Sequence, residues 1–255
     1  MLSLKDRITD YIALADHRLL GRVPIILHIN GRGFSRTTSL CDKPYDVRLG
    51  QTFYATMIAL LKEIEGACFG YTYNDQIWIV ARNDTDLSTR PWFNGSVAKI
   101  VSVVSSLATI NFDRCADELD VNLITDPIFL TQAFIVPTTT EAVNVFIFAQ
   151  QEAFKASVNT ACLYELLKKF PKPVILDKLA NTSLDEKIAI LKEETGVDYY
   201  SYPQEFRMGV AAYRQPQKID FEGETKIKDK WALDIEVPSL TDQKDWLPSI
   251  LRKKV

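Results

Sequence analysis

Ile25-Ile26-Leu27-His28-Ile29-Asn30-Gly31-Arg32-Gly33-Phe34 and Phe69-Gly70-Tyr71-Thr72-Tyr73-Asn74-Asp75-Gln76-Ile77-Trp78-Ile79-Val80-Ala81 decide how this chain is read. Each is an apolar run that ends or turns in polar residues. The run Val23 to Ile29 is too short for a globular helix and is bounded by Pro24 and Gly31, so it predicts a buried strand. Ala67 to Tyr73 and Ile77 to Ala81 predict a hairpin, because Asn74-Asp75-Gln76 between them is made of residues that turns prefer. If the strands share one sheet, the polar ends lie side by side. Asp75 is the only acid in these ends.

The flanking segments supply helices. Leu4, Ile8, Tyr11, Ile12, Leu14 and Ala15 recur at helical spacing before Gly21-Arg22-Val23-Pro24 stops the pattern. After a loop at Lys43-Pro44-Tyr45-Asp46, the spacing of Leu49, Phe53, Met57, Leu60, Leu61 and Ile64 predicts a helix from Val47 to Ile64 that ends at Gly66. Asn83-Asp84-Thr85-Asp86 reads as a loop and Val97 to Phe112 as a helix buried on several sides. Phe129 to Val136 reads as a strand, and Glu141 to Leu167 as one or two helices. Ser183 and Glu186 form a capping-box pattern for a helix from Leu184 to Thr195, stopped by Gly196. Met208 to Tyr213 reads as a late strand. From Gln215 onward the composition turns polar, which places Lys226 to Lys230 and Leu251 to Val255 at the periphery. This order of elements gives a layered domain with helices packed on a small sheet.

The chain has 255 residues and 47% hydrophobic content, enough for a large core. Its 30 Lys+Arg against 33 Asp+Glu exclude a global basic field for nucleic acid or an anionic membrane, so any RNA contact needs a local patch. Lys168, Lys169, Lys172 and Lys178 are one such cluster, equally readable as a solvated loop. Cys41, Cys68, Cys115 and Cys162 lie far apart and only His17 and His28 accompany them, which argues against zinc. Free thiols, a charged start and no apolar run near 20 residues predict a soluble cytoplasmic protein with no membrane partner. His28 reads as a hydrogen-bonded core histidine, and Tyr199, Tyr200 and Tyr202 as a half-buried surface strip. Gly31-Arg32-Gly33 offers backbone N–H groups, and Arg32 or Arg36 guanidinium groups, to a phosphate; a tight strand-end turn with two surface arginines is the simpler reading of that stretch alone.

Several of these strings occur together in one known order. His28-Ile29-Asn30-Gly31-Arg32-Gly33-Phe34, Lys43-Pro44-Tyr45-Asp46 and Gly70-Tyr71-Thr72-Tyr73-Asn74-Asp75-Gln76 closely resemble the tRNA(His) guanylyltransferase family and its bacterial-type 3'-5' polymerase relatives. The patterns there are Arg-x-Asp-Gly-(Arg/Lys)-x-Phe, Lys-Pro-(Phe)-Asp and Gly-Tyr-x-x-Ser-Asp-Glu. Trp92-Phe93 with Lys99 to Ser106 looks like the family's Lys-x-x-Ser-x-x-Ala-Ser helix. Gln150-Gln151-Glu152-Ala153 is similar to its Arg-Gln-Gln-Asp-Ala, and Glu186-Lys187, Gly196, Tyr202-Pro203, Phe206 and Gly209 follow its late order.

The resemblance implies an α+β fold: a polymerase-palm-like, ferredoxin-like antiparallel sheet with helices packed on it, plus helical C-terminal elements. It divides the chain into a palm-like nucleotide-binding region, 1–137, and a helical and C-terminal region, 138–255. It implies a nucleoside triphosphate ligand, GTP-like, magnesium, tRNA or another RNA as partner, and a homodimer or homotetramer. By position, Asn30, Asp75 and Gln76 take the catalytic carboxylate places, with magnesium held by Asp75, Asn30 and the Ile29 carbonyl. Gly31, Arg32, Gly33 and Phe34 fall where the family cradles phosphate and packs the base. Arg36, Lys43, Asp46, Asn74, Lys99, Glu152 and Lys155 complete the expected nucleotide contacts. The departures from the pattern concentrate at the chemistry: Asp to Asn30, Glu to Gln76, Ser to Asn74, Arg to His28, and Ala149 and Ala156 where Arg and Asn are usual. Two divalent ions about 3.5–4 Å apart need anionic ligands, and an amide brings a dipole without charge. The reading that follows is a catalytically impaired relative that binds nucleotide or RNA ends. An active magnesium-dependent 3'-5' nucleotidyltransferase and a purely structural oligomer subunit are the alternatives.

Overall fold

The computed structural model describes residues 3–84, 89–221 and 224–252. Its centre is a six-stranded sheet: β1 (Ile25–Gly31), β2 (Ala67–Tyr73), β3 (Gln76–Ala81), β4 (Phe129–Ile135), β5 (Val210–Phe221) and β6 (Glu224–Asp234). The strand order is β4-β1-β3-β2-β5-β6, and every neighbouring pair is antiparallel. The helices are α1 (Leu4–Leu14), α2 (Phe34–Thr37), α3 (Val47–Glu63), α4 (Val97–Glu118), α5 (Thr139–Leu167), α6 (Lys172–Leu179), α7 (Leu184–Thr195), α8 (Gln204–Met208) and α9 (Trp246–Leu251). The architecture is α+β, as the resemblance implies.

Alternation along β1 and β3 builds two cores. Ile25, Leu27, Ile29, Ile77 and Ile79 face α3 and α4, where Phe53, Met57, Val104 and Phe112 meet them. Ile26, Val80 and Trp78 face the other way, onto Phe146, Ala149 and Ala153 of α5 and Leu247 and Leu251 of α9. A third cluster joins the second half of α5 to α6 and α7 through Val158, Cys162, Ile175 and Leu191. Helix starts follow local chemistry. Asp46 caps α3 by accepting from the Arg48 and Leu49 N–H groups at 2.9 and 3.3 Å. Ser183 and Glu186 cap α7 reciprocally, and Gly196 closes it with φ +78°.

Four sequence expectations need correction. The segment after Gln215 is not peripheral coil: it forms most of β5 and β6, paired from Ala211↔Asp234 to Phe221↔Glu224. Leu247, Ile250 and Leu251 are core residues, so the expected periphery at Leu251 is wrong. α4 buries a single stripe (Ile100, Val104, Ala108, Phe112, Ala116), leaving Ile110 exposed. Tyr199 is fully buried, sharing a 2.6 Å hydrogen bond with Ser157 Oγ, while Tyr200 stays exposed. The lysine cluster is also largely engaged: Lys168 pairs with Glu165 and Lys178 with Glu194, and Lys169 Nζ donates to the Glu194 carbonyl. Within the expected loop at 83–86, Thr85 and Asp86 lie outside the described residues, as do residues 253–255. α1 forms as its spacing predicts, yet Leu4, Ile8, Tyr11 and Ile12 remain exposed. Among the described residues no helix is long and apolar enough to cross a membrane.

Gly209 ties α8 to the sheet. Its φ is +71°, and a Cβ there would stand 2.5 Å from Tyr71 Oη and 2.8 Å from the Thr72 carbonyl oxygen. Tyr71 Oη donates to the Met208 carbonyl in the same corner. Gly209→Ala is expected to cost about 2–3 kcal/mol in urea unfolding, from positive φ and overlap together. Tyr71→Phe, which removes only the hydroxyl, should cost about 1 kcal/mol.

Candidate functional site

The ends of β1, β3 and β4 are sewn together by backbone hydrogen bonds. Gly31 N–H donates to the Asp75 carbonyl at 2.9 Å, Arg32 N–H donates to the Ile128 carbonyl at 2.7 Å, and Asn30 stands opposite Gln76 in the register. The Gly31 α-carbon lies directly under the Phe34 ring. A Cβ at Gly31 would sit 2.6 Å from Phe34 Cε2. Gly33, with φ +69°, turns the chain into α2 so that the ring can reach this position. Phe34 packs with Phe53, Phe112 and Phe129 at centroid distances of 5.7, 5.3 and 4.9 Å. Its side chain is therefore part of the core as well as a wall of the site.

Beside this corner is a cavity of about 300 Å³, bounded by α2, the 42–46 loop, α3, the Asn74–Asp75 turn, α5 and α8. It brings together Phe34, Lys43, Asp46, Asn74 and Asp75 from the sequence-derived set. Arg32 and Arg36 are exposed and do not line it. Glu152 and Lys155 form an ion pair at 3.4 Å on α5, outside the lining. Lys99 is not brought to the cavity: it lies in the first turn of α4 near Asp16, next to Ile100 and the opposite end of the sheet.

The wall also contains residues the sequence did not single out as ligand contacts. Tyr45 Oη donates to Glu205 Oε1 at 3.5 Å and is hydrogen bonded to Tyr54. Gly50 leaves room for both rings, since a Cβ there would meet Tyr54 Oη at 3.1 Å and Tyr45 Oη at 3.2 Å. Lys43 Nζ stands 5.8 Å over the Tyr164 ring. Glu205 is 160 residues from Tyr45 along the chain, and no local pattern announces that meeting. Tyr54 had a weak signal, as a polar-tipped aromatic one residue after a core phenylalanine.

Charge in the cavity is unevenly spent. Asp46 is buried, which would raise its carboxyl, but hydrogen bonds from the Asp42 backbone, Arg48 and Leu49 outweigh burial and hold it below the ordinary value. Asp75 is the opposite case. Burial pushes its carboxyl above the ordinary 3.8, with only partial relief from its own backbone N–H and from His28. Tyr73 is pushed up to about 12, by burial first and then by the Glu152 charge.

The Gln76 amide oxygen is engaged away from Asp75. It accepts from His28 Nε2 at 3.0 Å, Tyr73 Oη at 3.1 Å and Trp78 Nε1 at 3.3 Å. His28 in turn stacks on Trp78, with ring centroids 3.8 Å apart, and its Nδ1 lies 3.3 Å from Gln132 Oε1. His28 is thus the hydrogen-bonded histidine its sequence context suggests. The donor set at the strand ends does not fit a pair of divalent ions: it offers one carboxylate, the Asn30 amide, and a Gln76 oxygen already holding three donors.

Two outcomes follow from this geometry. Gly31→Ala must displace the Phe34 ring, and is expected to cost about 1–3 kcal/mol of stability by overpacking, as read by urea unfolding. Because the folded-state carboxyl of Asp75 is raised, its contribution to stability is fully present below 3.8 and is lost as pH rises through the folded value. Asp75→Asn should therefore raise the melting temperature at neutral pH, and the gain should vanish in melts run below pH 3.8.

A family model described as "Thg1: tRNAHis guanylyltransferase" matches residues 6–137. Among curated relatives, tRNA(His) guanylyltransferase 2 of Arabidopsis thaliana is 25% identical over 240 residues, covering 91% of this chain and 44% of that protein. The chain therefore spans less than half the length of this relative. A solved bacterial tRNA(His) guanylyltransferase-like protein in complex with ATP superposes with a TM-score of 0.82 at 25% identity, covering 98% of this chain and 99% of the other. A second such structure, in complex with GTP, gives 0.75 at 24% identity over 99% and 100% of the two chains, and speaks for the fold. With a matched segment of more than half its residues, the chain belongs to the tRNAHis guanylyltransferase family.

Proposed function

We propose that this chain is a nucleotide-binding member of its family in which two-metal nucleotidyl transfer is impaired. The observation that carries the reading is the Gln76 oxygen, held by His28, Tyr73 and Trp78 where the family pattern has a carboxylate. The relatives solved with ATP and with GTP support a purine nucleoside triphosphate as the ligand. The cavity wall carries Asp42, Asp46, Asp75 and Glu205 against Lys43, a balance that repels a triphosphate. The base and ribose accordingly enter against the hydrogen-bonded Tyr45–Tyr54 pair, and the phosphates lie outward at the Gly33 end of the turn, with exposed Arg32 and Arg36 as their cations. An RNA 5' end fits the same outward position. Self-association into a dimer or tetramer belongs to this reading, and the exposed apolar residues of α1 support it.

A second reading, an active magnesium-dependent 3'-5' nucleotidyltransferase, is favoured by one observation. Asp75 keeps an ionisable carboxylate at the strand ends although burial opposes its charge, as stored strain at a working site would. Titration calorimetry with GTP and ATP, with and without magnesium, separates the two. The impaired reading expects affinities that change less than about threefold with magnesium, a difference under about 0.7 kcal/mol. It also expects extension of a 5'-truncated tRNA to appear only when Asn30→Asp and Gln76→Glu are introduced together. Recovery of about 3 kcal/mol of transition-state stabilisation corresponds to more than a hundredfold in rate. Robust extension by the unaltered chain, abolished by Asp75→Ala, would establish the second reading instead.

A further inference from the structure

A second cleft lies at the other end of the sheet, where Ile25 pairs with Ala81, remote in register from the Asn30–Gln76 end. Its volume is about 190 Å³. One ordered water needs only about 10–15 Å³, so this space exceeds a hydration site by an order of magnitude. Buried Ile25 and Ile100 form an apolar floor, and Trp92 supplies an aromatic wall.

Asn83 is part of the same wall. It is 4% exposed, and among the described residues neither its amide oxygen nor its amide nitrogen has a hydrogen-bond partner. A buried amide with both ends unpaired is costly to keep, and such groups call for a partner of complementary shape. The two cations of the cleft differ. Arg82 is spent on Asp84 at 2.8 Å and on the Leu251 carbonyl, whereas Arg90 is exposed and forms no ion pair with another described residue.

We propose that this cleft is a second nucleotide site, taking an adenine base against Trp92 with its donor–acceptor edge on the Asn83 amide and its phosphate toward Arg90. An amide presents one donor beside one acceptor, which is the complement of adenine N6–H and N7. An indole face binds a base by stacking, and a guanidinium pairs with a phosphate. The same chemistry is carried by a free adenosine monophosphate and by an unpaired adenosine of single-stranded RNA. The site is independent of the Asp75 cavity.

Photolabelling of the full chain with 8-azidoadenosine 5'-monophosphate, followed by peptide mapping, tests this directly. The expected label falls on the segment from Asn83 to Trp92, with half-saturation at least tenfold weaker in Asn83→Leu. That variant replaces an unpaired amide by an apolar group of similar size, so its urea midpoint should be unchanged or higher. If Asn83→Leu fails to fold, Arg90→Ala decides: at this exposed position it should weaken labelling at least threefold, while protection by adenosine, which lacks the phosphate, stays the same. Stronger protection by adenosine monophosphate than by a short oligoadenylate assigns the free nucleotide, and the reverse order assigns RNA. Label confined to the Asp75 cavity, or label at 83–92 that both substitutions leave undiminished, overturns the proposal.

Discussion

The contact between the Phe34 ring and the bare α-carbon of Gly31 holds the rest of the site in place. It joins the last residue of β1 to the first residue of α2, and it inserts α2 into the aromatic cluster of Phe53, Phe112 and Phe129. Phe53 comes from α3, Phe112 from α4 and Phe129 from β4, so one ring registers a strand end against three other elements. Any side chain at Gly31 would separate them. The turn at Arg32–Gly33 therefore depends on core packing and on the Gly31 and Arg32 backbone hydrogen bonds rather than on a ligand.

The two faces of the sheet divide the work around this corner. The α3–α4 face is apolar along β1 and β3 and fixes the cavity wall through Phe53 and Tyr54. On the α5 face, His28, Trp78, Tyr73 and Gln76 make a polar patch within an otherwise hydrophobic layer, and three of its hydrogen bonds meet on one oxygen. An acceptor with three donors is costly to disturb, because removing the acceptor leaves the donors unpaired. Gln76 is thus a structural hub whatever its relation to chemistry, and substitutions there carry a folding consequence alongside a functional one.

Much of this was legible in the sequence, for reasons that can be named. β1, β2, β3 and α3 each combine a clear apolar period with a cap or turn residue of defined role: Gly31, Asn74, Asp46 and Gly66. The α7 capping box was readable from Ser183 and Glu186 alone. β5 and β6 were not, since residues such as Lys228, Asp229 and Lys230 carry no alternation and are held by backbone pairing beyond the edge of the core. Buried Leu247, Ile250 and Leu251 were overlooked because six residues of α9 are too few to show a period. Motif order placed Lys43, Asp46 and Asp75 together, and the fold brings all three to one cavity wall. The approach of Glu205 to Tyr45 did not follow from motif order, because it is a tertiary contact between segments with no shared pattern. Lys99 shows the converse: position in a motif placed it near nucleotide, and the fold puts it at the far end of α4.

The amide substitutions also change the charge of the site less than a count of lost acids implies. Relative to the family pattern, the acids at positions 30 and 76 have become Asn30 and Gln76, while the arginine at position 28 has become His28. His28 Nε2 now touches Gln76 Oε1 across the β1–β3 pair. An arginine and a glutamate at these two places would face each other with opposite charge, and their joint replacement by histidine and glutamine removes both charges at once. A further positive charge of the family pattern is lost where Ala149 stands for an arginine. A carboxylate returned at position 76 alone would lie against the three donors of His28, Tyr73 and Trp78, so its charge would be satisfied within the patch rather than offered to a cation. Among positions 28, 30 and 76, Asn30 is thus the one whose replaced acid is not matched by the loss of an arginine in contact with it.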